Sequence, residues 1–355
     1  MNKLQIIQEK LVMCQPIIGV DLSGVTFDRC VLEGAVFLNC NFSGSHFDHC
    51  DLTRAVFTQC DFTRSFINQC KLNQSSLIQC DFKGSSWESA CEMATLSECD
   101  FSECAWQDIS IKSSTWHQCV FTRATFTSCQ WDTVTLSEME SSHTVYESCT
   151  FYNIVWLKTD FKTIQLNNCS FIQALLLECD FSGQDLKKIT LKYCTCSESL
   201  FVGTQLSAAD LYSSNFSKCV LTDVDFSQSK LQQALFIESK INNCVFDKAN
   251  LSNANFQQAE IRQSTFVSCP MSQTWMKSLM ADQVDFTGTD LSYSNFSYSD
   301  LNKCNFSRST LLRTVIHQVI EKDCRWQGAD KSQLLTTDAN QKAIDEKLAK
   351  FGVTP

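Results

Sequence analysis

A five-residue period of large apolar side chains is the feature that most constrains how this chain folds. Stepping by five from Leu22 to Trp87 meets only apolar residues. After a shift of one residue, the same step from Leu96 to Trp326 passes 47 positions, of which only Ser141 and Glu321 are polar. A helix repeats about every 3.6 residues and a strand about every 2, so neither explains this pattern.

The positions around each large residue also have characteristic residue types. The residue two before it is usually small, and 19 of the 22 cysteines occupy this slot. Nine of the ten glycines lie two residues after it, where a backbone turn needs them. We therefore expect a coil with five-residue sides, in which the large residue and the one two before it point inward. Cysteine is then a small buried hydrophobe with a free thiol.

The number of sides follows from a second period of ten. Cysteine recurs every ten residues from Cys30 to Cys80, while Ala or Ser fills the alternate slots from Ala35 to Ser85. Side chains of the same type stack on one another only if the number of residues in one coil is a multiple of ten. Four sides of five satisfy this condition, whereas three sides do not.

The repeated pattern of a small residue, Asp or Asn, then Leu or Phe appears as "ADLYS", "ANFQQ" and "CDFTR". It resembles the pentapeptide-repeat family over most of the chain. The resemblance implies an all-β solenoid, a right-handed quadrilateral β-helix. About fifteen coils spaced by about 4.8 Å would give a rod on the order of 70 Å long.

We expect three regions: an N-terminal cap at 1–14, the β-helix at 15–328 and a C-terminal capping helix at 329–355. Open solenoid ends need caps, because they expose backbone edges and apolar side chains. At the N-terminus, Leu4, Ile7 and Leu11 have helical spacing. At the other end, Asp338 and Gln341 mark a helix start and Gly352 its end. One apolar face of this helix carries Ile344, Leu348 and Phe351.

That apolar face has two interpretations. It covers the last coil, or it joins two copies end to end, as the resemblance to gyrase-binding members of the family implies.

Two stretches interrupt the period. Between Trp87 and Leu96, at 88–95, the frame slips, and we expect a bulge or a short loop. At 269–283 we expect an irregular coil, where Trp275 either faces outward as an interaction spot with Met280 or is tucked in by a bulge.

Acidic residues concentrate around the first interruption, without any Lys or Arg between Trp87 and Ile111. The cluster is either a solvated acidic surface or a docking patch for a basic partner. Its members are Glu88, Glu92, Glu98, Asp100, Glu103 and Asp108.

Composition excludes several classes of function. A net charge of −10 and a pI near 5.0 disfavour direct binding to nucleic acid or to an anionic membrane. No stretch is long and apolar enough for a transmembrane helix, and no signal peptide is recognisable. Many cysteines without a secretion signal indicate a reducing compartment, so we expect a bacterial cytoplasmic location, with translocation by a dedicated secretion system as the alternative.

Catalytic and metal motifs are missing from the sequence. No CxxC pair, phosphate loop or dinucleotide fingerprint occurs. We expect no enzyme activity, no cofactor and no metal. The five histidines all fall at or near outward positions and are expected on the surface: His46, His49, His117, His143 and His317.

The leading hypothesis is a non-catalytic protein-interaction module, a rigid acidic rod with a partner-binding face. A second hypothesis, from the family resemblance, is a DNA mimic that binds or protects DNA gyrase or topoisomerase. A third is an accessory or effector protein of a bacterial secretion system. The partner is a protein in each case, with no direct contact to nucleic acid or membrane.

Overall fold

Each half of the chain forms a parallel β-solenoid. The computed structural model describes residues 3–351 and comprises two compact units, Met1–Asp180 and Phe181–Pro355. Within each unit, every coil has four short sides, and residues 20 apart pair in parallel, as Phe37 with Phe57 and Leu221 with Ile241. The predicted fold class, an all-β solenoid with four sides of five residues, is confirmed.

The first unit contains helix α1 and 22 short strands. These are α1 (Lys3–Val12), β1 (Ile17–Ile18), β2 (Thr26–Asp28), β3 (Val36–Leu38), β4 (His46–Asp48), β5 (Val56–Thr58), β6 (Phe66–Asn68), β7 (Ser76–Ile78), β8 (Ser86–Glu88), β9 (Cys91–Glu92), β10 (Thr95–Ser97), β11 (Ala105–Gln107), β12 (Ser110–Lys112), β13 (Thr115–His117), β14 (Thr125–Thr127), β15 (Gln130–Asp132), β16 (Thr135–Ser137), β17 (Val145–Glu147), β18 (Thr150–Tyr152), β19 (Val155–Leu157), β20 (Gln165–Asn167), β21 (Ser170–Ile172) and β22 (Leu175–Leu177).

Four sides can be followed through this unit. Side 1 is the nine-stranded sheet from β1 to β22, and side 3 is the eight-stranded sheet from β2 to β20. Side 2 contains no regular strand and is joined by isolated bridges, beginning with Asp21 to Asn41. Side 4 begins with such bridges and continues as the sheet through β9, β12, β15, β18 and β21.

The corners between sides use left-handed backbone. Arg54, Gln59 and Arg64 have φ of 58°, 53° and 54°, and Gly24 and Gly84 fill the same kind of corner. This conformation is strained for residues other than glycine. It persists because each corner N–H donates to the next coil, as from Arg64 to the Lys83 carbonyl at 3.0 Å.

The interior is filled by columns of identical or similar side chains. Phe37 stacks on Phe57 with ring centroids 5.0 Å apart, and Trp87 stacks on Trp106 at 4.6 Å. All 22 cysteines are free thiols, and 19 of them are buried. The buried thiol of Cys60 donates to the Phe37 carbonyl at 3.6 Å, across one coil. Cysteine thus joins coils as well as filling space.

The frame slip is a shortened side and not a protruding loop. Cys91 is buried at the position of a large residue, four residues after Trp87, so the pairing of Ser76 with Thr95 spans 19 residues. Ser89 replaces the missing corner: its hydroxyl accepts from the Cys70 N–H at 2.9 Å and donates to the Ile67 carbonyl at 3.0 Å. The expected bulge is absent because this hydroxyl satisfies the backbone groups that the deletion would leave unpaired.

The second unit ends in helix α2. It contains β23 (Thr190–Lys192), β24 (Leu200–Val202), β25 (Val220–Thr222), β26 (Lys240–Asn242), β27 (Glu260–Arg262), β28 (Met280–Asp282), β29 (Asp300–Asn302), β30 (Ile320–Lys322) and α2 (Ala339–Lys350). One side is the seven-stranded sheet from β24 to β30, and isolated bridges with the same 20-residue register join the others.

The stretch 269–283 is a regular coil, contrary to expectation. Met280 pairs with Glu260 and Asp300, and Trp275 pairs with Asn255 and Asn295, in the unbroken register. Ala281 is small, but the flexible side chains of Met271 and Met276 are fully buried in the same coil. Methionine fills irregular space, so the coil needs no bulge.

Helix α1 begins the first unit, and helix α2 lies near the end of the second. In α1, Ile7 is buried, and together with Leu11 it borders a cleft against Phe27 and Leu32 of the first coil. In α2, Asp338 caps the N-terminus by accepting from the Gln341 N–H at 2.9 Å. The side chain of Leu4 and residue Gly352 lie outside what the structure describes.

Candidate functional site

The outward side chains of the first unit stack in straight columns. Three of every five residues point outward, and residues 20 apart lie on neighbouring coils, about 4.8 Å apart. A charge that recurs every 20 residues therefore forms a row. The surface of a solenoid is therefore a set of parallel columns.

The excess negative charge of the chain lies entirely in its first half. Residues 1–180 contain 21 Asp and Glu against 11 Lys and Arg, whereas residues 181–355 contain 18 of each. The net charge of −10 therefore belongs to the first unit.

One column on side 2 gathers much of this charge, and we call it the acidic column. Its carboxylates precede the buried large residue of each coil, and Asn41 and Val120 interrupt the row. Isolated bridges join Asp61 to Asp81, Asp81 to Asp100 and Asp160 to Asp180 directly. The members of the column are Asp21, Asp61, Asp81, Asp100, Glu140, Asp160 and Asp180.

Local hydrogen bonds orient these carboxylates. One oxygen of each of the three central aspartates accepts from the backbone N–H two residues later, at 2.8 Å for Asp61, 2.9 Å for Asp81 and 2.8 Å for Asp100. This turn uses Oδ1 of each of the three carboxylates. Within residues 3–351, no Lys or Arg nitrogen lies within 4.0 Å of these three carboxylates.

The three central aspartates repel one another. Partial burial first, and then the carboxylates of Asp100 and Asp61, raise the pKa of Asp81 above its ordinary value, against the lowering effects of the Lys83 N–H and of the Lys83 charge. At the far end of the column, Lys162 lies 2.8 Å from Asp180 and 3.5 Å from Asp160. Among the described residues, the centre of the row is thus the part without close ion pairs.

The structure distributes the six sequence-predicted acidic residues over several sides. Glu88 lies in β8 on side 3 and Glu92 in β9 on side 4. Asp108 is a corner residue between these two sides, with φ of 54°. These three do not share a surface with Asp100 of the acidic column.

The remaining two predicted residues border side 2. Glu98 and Glu103 occupy the corners on either side of Asp100 and have φ of 55° and 61°. Glu98 accepts from Gln79 at 2.9 Å, and Glu103 lies 3.6 Å from Lys83 and 3.9 Å from Arg123. The sequence identified one edge of the acidic surface and missed the rest of the column. The signal was available as an acidic residue recurring every 20 positions.

Trp275 faces outward and is 54% exposed, and Met280 is 50% exposed. The alternative in which a bulge tucks them in is wrong. They lie on adjacent sides of one coil and remain candidate contacts for a partner.

Helix α2 is attached by a polar network and not by its apolar face. Asp345 is the one buried residue in the helix. Its Oδ2 accepts from the Tyr298 hydroxyl and the Gln318 amide, both at 2.7 Å, and lies 3.0 Å from His317 Nε2. Hydrogen bonding from His317, first, and from Tyr298 and Gln341 lowers the pKa of Asp345 to about 2.

His317 is buried, so its expected surface position is wrong. Its Nδ1 accepts from the Asp338 N–H at 3.2 Å, and its Nε2 contacts Asp345. Because both ring nitrogens are engaged, this histidine holds the helix and is not placed to serve as a base.

The apolar face of α2 is left uncovered. Ile344, Leu348 and Phe351 are 50%, 38% and 83% exposed. The edge strand β30 is also exposed at all three residues. The interpretation that this face covers the last coil stays a prediction: Ile344 borders a cleft with Val315 and Leu335, while Asp345 makes the buried contact.

No helix within residues 3–351 combines the length and apolar character needed to cross a bilayer. Together, the four-sided coils, the 20-residue register and the surface columns define a repeat protein of the β-solenoid class.

Family models identify the repeat. The model for the pentapeptide repeat region matches residues 239–316, and the model for pentapeptide repeats matches residues 18–54, 50–86 and 191–228. These matches cover just over half of the chain. The chain belongs to the pentapeptide-repeat family, whose members are generally non-catalytic structural or interaction modules.

Solved structures with the same type of repeat are similar at low identity. HetL, involved in heterocyst differentiation regulation in the cyanobacterium Nostoc, is 13% identical, with 95% of this chain and 98% of HetL covered and a TM-score of 0.20. QnrB1, a plasmid-mediated fluoroquinolone resistance protein, is 14% identical, with 72% and 100% covered and a TM-score of 0.26. Scores this low carry no argument about function. No curated protein sequence matches the chain significantly.

Proposed function

We propose that this chain is a non-catalytic protein-interaction module whose first unit binds a basic surface of a partner protein through the acidic column. The observation that carries the proposal is the row of Asp61, Asp81 and Asp100, oriented by backbone hydrogen bonds and without counter-ions among the described residues. A straight row of fixed charges matches a straight row of Lys or Arg. Such complementarity accelerates association and selects the partner.

Capture from lysate of the source cell tests the proposal. The triple variant Asp61→Asn, Asp81→Asn and Asp100→Asn removes three charges while retaining the local turn, because Asn41 already accepts from the Ser43 N–H at 2.9 Å in the same column. We expect the wild-type partner to be lost or to elute at much lower salt.

The matched control lies in the second unit. Asp225, Asp285 and Asp290 form the same local turn with the N–H of Ser227, Thr287 and Ser292. Replacing these three by Asn should leave capture unchanged. Equal recovery by both triple variants would contradict the role of the acidic column.

A narrower candidate partner is DNA gyrase or topoisomerase, with the column imitating a phosphate backbone. The observation behind it is a row of carboxylates along one side, although its spacing of about 4.8 Å is wider than the about 3.4 Å per phosphate along one DNA strand. Supercoiling assays with purified gyrase test it. If the wild type neither inhibits the enzyme nor protects it from a quinolone, gyrase is excluded as the partner. The broader proposal of a basic protein partner would still stand.

The exposed face of α2 supports an end-to-end homodimer. Ile344 and Leu348 are available for contact because both are exposed, whereas Asp345 is the buried residue of the helix. Light scattering should give a dimer for the wild type and a monomer for Ile344→Asp and Leu348→Asp. A monomeric wild type would discard this assembly without affecting the acidic column.

A cytoplasmic location fits this function. The 22 free thiols, most of them buried, support a reducing compartment. Measuring the protein in cell fractions of the source organism tests this location.

A further inference from the structure

Two thiols lie one above the other in the coils of β29 and β30. Cys304 and Cys324 are the one pair of cysteines 20 residues apart in residues 181–355, and β29 pairs with β30 in this register. The thiol of Cys304 donates to the Ala281 carbonyl at 3.6 Å, and that of Cys324 donates to the Leu301 carbonyl at 3.3 Å. These acceptors are also 20 residues apart, so the two sulfurs occupy the same inward position on successive coils.

Cys324 is the accessible member of this pair. Three of the 22 cysteines are not buried: Cys14, Cys30 and Cys324. Cys304 is fully buried, whereas Cys324 is half-buried beside β30, which is the last strand of its sheet and is exposed at all three residues. A reagent in solution therefore reaches Cys324 before Cys304.

The environment of Cys324 also favours its thiolate. Hydrogen bonds from the Cys304 thiol, first, and from the Cys304 backbone N–H lower the pKa of Cys324 to about 7, against the raising effects of partial burial and of the Glu321 charge. The N–H contact is typical of this position in the coil, because the Cys244 N–H donates to Ser264 Oγ at 3.0 Å in the same way. The thiolate is the nucleophile in cysteine chemistry, so Cys324 should react at neutral pH.

We propose that Cys324 is an oxidation site for hydroperoxides and that Cys304 converts its oxidised form into a disulfide between the last two strands of the sheet. Accessible cysteines with a stabilised thiolate and a second thiol nearby are the ones that oxidise reversibly. The site lies apart from the acidic column, so it does not depend on the partner that this column binds.

The reaction needs hydrogen peroxide as the only co-reactant. The Cys324 thiolate attacks one peroxide oxygen, the O–O bond breaks, hydroxide leaves, and Cys324 becomes a sulfenic acid. The Cys304 sulfur then attacks the sulfenic sulfur, the S–S bond forms, and the hydroxyl group leaves with the Cys304 proton as water. The two cysteines lose two electrons in total, and the peroxide is reduced to two molecules of water.

The end of the solenoid permits the movement that this disulfide requires. Successive coils place the two Cα atoms about 4.8 Å apart, within the range of roughly 4.4 to 6.8 Å for disulfides. The sulfurs must approach to about 2.05 Å, so one coil must shift. A terminal coil has one neighbouring coil and opens most easily, whereas inner stacked thiols such as Cys60 and Cys80 are held from both sides.

The disulfide would strengthen the attachment of helix α2. Asp345 of the helix contacts Tyr298 in one of the two linked coils and His317 and Gln318 in the other. A covalent bond between these coils restricts the opening of the last one. Oxidation should therefore slow the hydrogen exchange of the α2 amides.

Peptide mapping of the full chain tests the site. The reduced protein is treated with hydrogen peroxide at pH 7, and the remaining thiols are blocked with N-ethylmaleimide in urea. Trypsin cuts after Lys and Arg and therefore releases Cys304 in peptide 304–308 and Cys324 in peptide 323–325. We expect mass spectrometry to find these two peptides joined by a disulfide after peroxide treatment and separate without it.

Two variants distinguish the roles of the thiols. Cys304→Ser should stop the reaction at the sulfenic acid of Cys324, which dimedone captures, and Cys324→Ser should leave Cys304 reduced. Serine fits both sites, because Ser264 and Ser299 are buried at the same position of other coils. In Cys324→Ser, peroxide should no longer slow the exchange of the α2 amides.

Cys30 is the matched control within the same chain. It is half-buried and stacked one coil before Cys50, but burial, first, and the neighbouring Cys50 raise the pKa of Cys30. In the folded protein, N-ethylmaleimide should modify Cys30 about tenfold more slowly than Cys324. The proposal is overturned if peroxide leaves Cys304 and Cys324 as free thiols, or if Cys30 and Cys50 become linked at the same peroxide concentration.

Discussion

At the scale of the single residue, the corner positions show how the repeat tolerates strain. Most corners of the first unit hold residues other than glycine with positive φ, such as Arg54 and Arg64. The left-handed conformation costs such residues about 1 kcal/mol or more each. The strained conformation persists because the corner N–H donates a hydrogen bond to the next coil. The hydrogen bonds between coils therefore determine the local conformation.

Exchanging residues at the corners should therefore change stability in opposite directions. Gly24 has φ of 66° and open space where a Cβ would lie, so Gly24→Ala introduces backbone strain without a steric clash. We expect it to lower the free energy of unfolding by about 1 kcal/mol. Arg64→Gly, at φ of 54°, should raise it by a similar amount.

Urea denaturation followed by circular dichroism measures both changes. If Gly24→Ala were neutral and Arg64→Gly destabilising, the corners would not be strained, and side-chain contacts would decide these positions instead.

At the scale of the element, the side between Trp87 and Cys91 lacks its corner residue. Ser89 serves both as the small inward residue and as the partner of the Cys70 N–H. Inserting a glycine between Glu88 and Ser89 would place a residue suited to positive φ at the missing corner and return Cys91 to the usual five-residue spacing.

We expect this insertion to change the free energy of unfolding by no more than about 1 kcal/mol. The same insertion between Gln107 and Asp108, on a side that already has five residues, should cost about 2 kcal/mol or more, because the extra residue must leave the ladder. Urea midpoints of the two variants decide the matter. Equal losses would mean that the shortened side is required as it stands.

Helix α2 is a second element whose position depends on one side chain. The folded-state pKa of Asp345, about 2, lies below its ordinary value of 3.8. A depressed carboxyl pKa gives stability that is complete above the ordinary value and is lost as pH falls through the folded value. The helix should therefore detach between about pH 4 and pH 2, and Asp345→Asn should detach it at pH 7.

Hydrogen exchange of the amides in Ala339–Lys350, corrected for the intrinsic effect of pH, measures this attachment. The control is Glu346→Gln, because Glu346 lies one residue further on the same helix and is exposed. The helix amides of this variant should be protected against exchange as in the wild type. If Asp345→Asn retained full protection at pH 7, packing of other residues would hold α2.

The elements also show what the sequence could predict. The five-residue period predicted the coil, the inward thiols and the glycine corners, because the same pattern of burial repeats in every side of the coil. It did not predict the regular coil at 269–283, since methionine packing around Ala281 cannot be judged from a period. It misplaced His317, because the buried partner Asp345 lies 28 residues away and only the folded helix brings the two together.

At the scale of the whole molecule, the two halves differ in electrostatics. The first unit carries the whole net charge, and its acidic column places like charges on neighbouring coils. The sequence could have revealed this column once the 20-residue coil was established. A search for linear runs of acidic residues instead selected Glu88 and Glu92, which lie on other sides.

Salt should accordingly stabilise the first unit. Five of the seven tryptophans lie in residues 1–180, so fluorescence reports mainly on this unit. The Debye length falls from about 30 Å at 0.01 M salt to about 8 Å at 0.15 M, which screens repulsion between exposed carboxylates. We expect the urea midpoint to rise over this range.

Asp81→Asn isolates the contribution of the column. Because the folded-state pKa of Asp81 is raised, its ionisation opposes folding, and stability is lost as pH rises through that pKa. At neutral pH and low salt, the free energy of unfolding of this variant should exceed that of the wild type by on the order of 0.5 kcal/mol, a small value because solvent screens the charges. The urea midpoint of the variant should also depend less on salt. Glu103→Gln, which removes the ion pairs with Lys83 and Arg123, should not raise the free energy of unfolding. If salt lowered the midpoint, attraction between opposite charges would dominate the first unit, and the acidic column would not be the uncompensated surface on which partner binding depends.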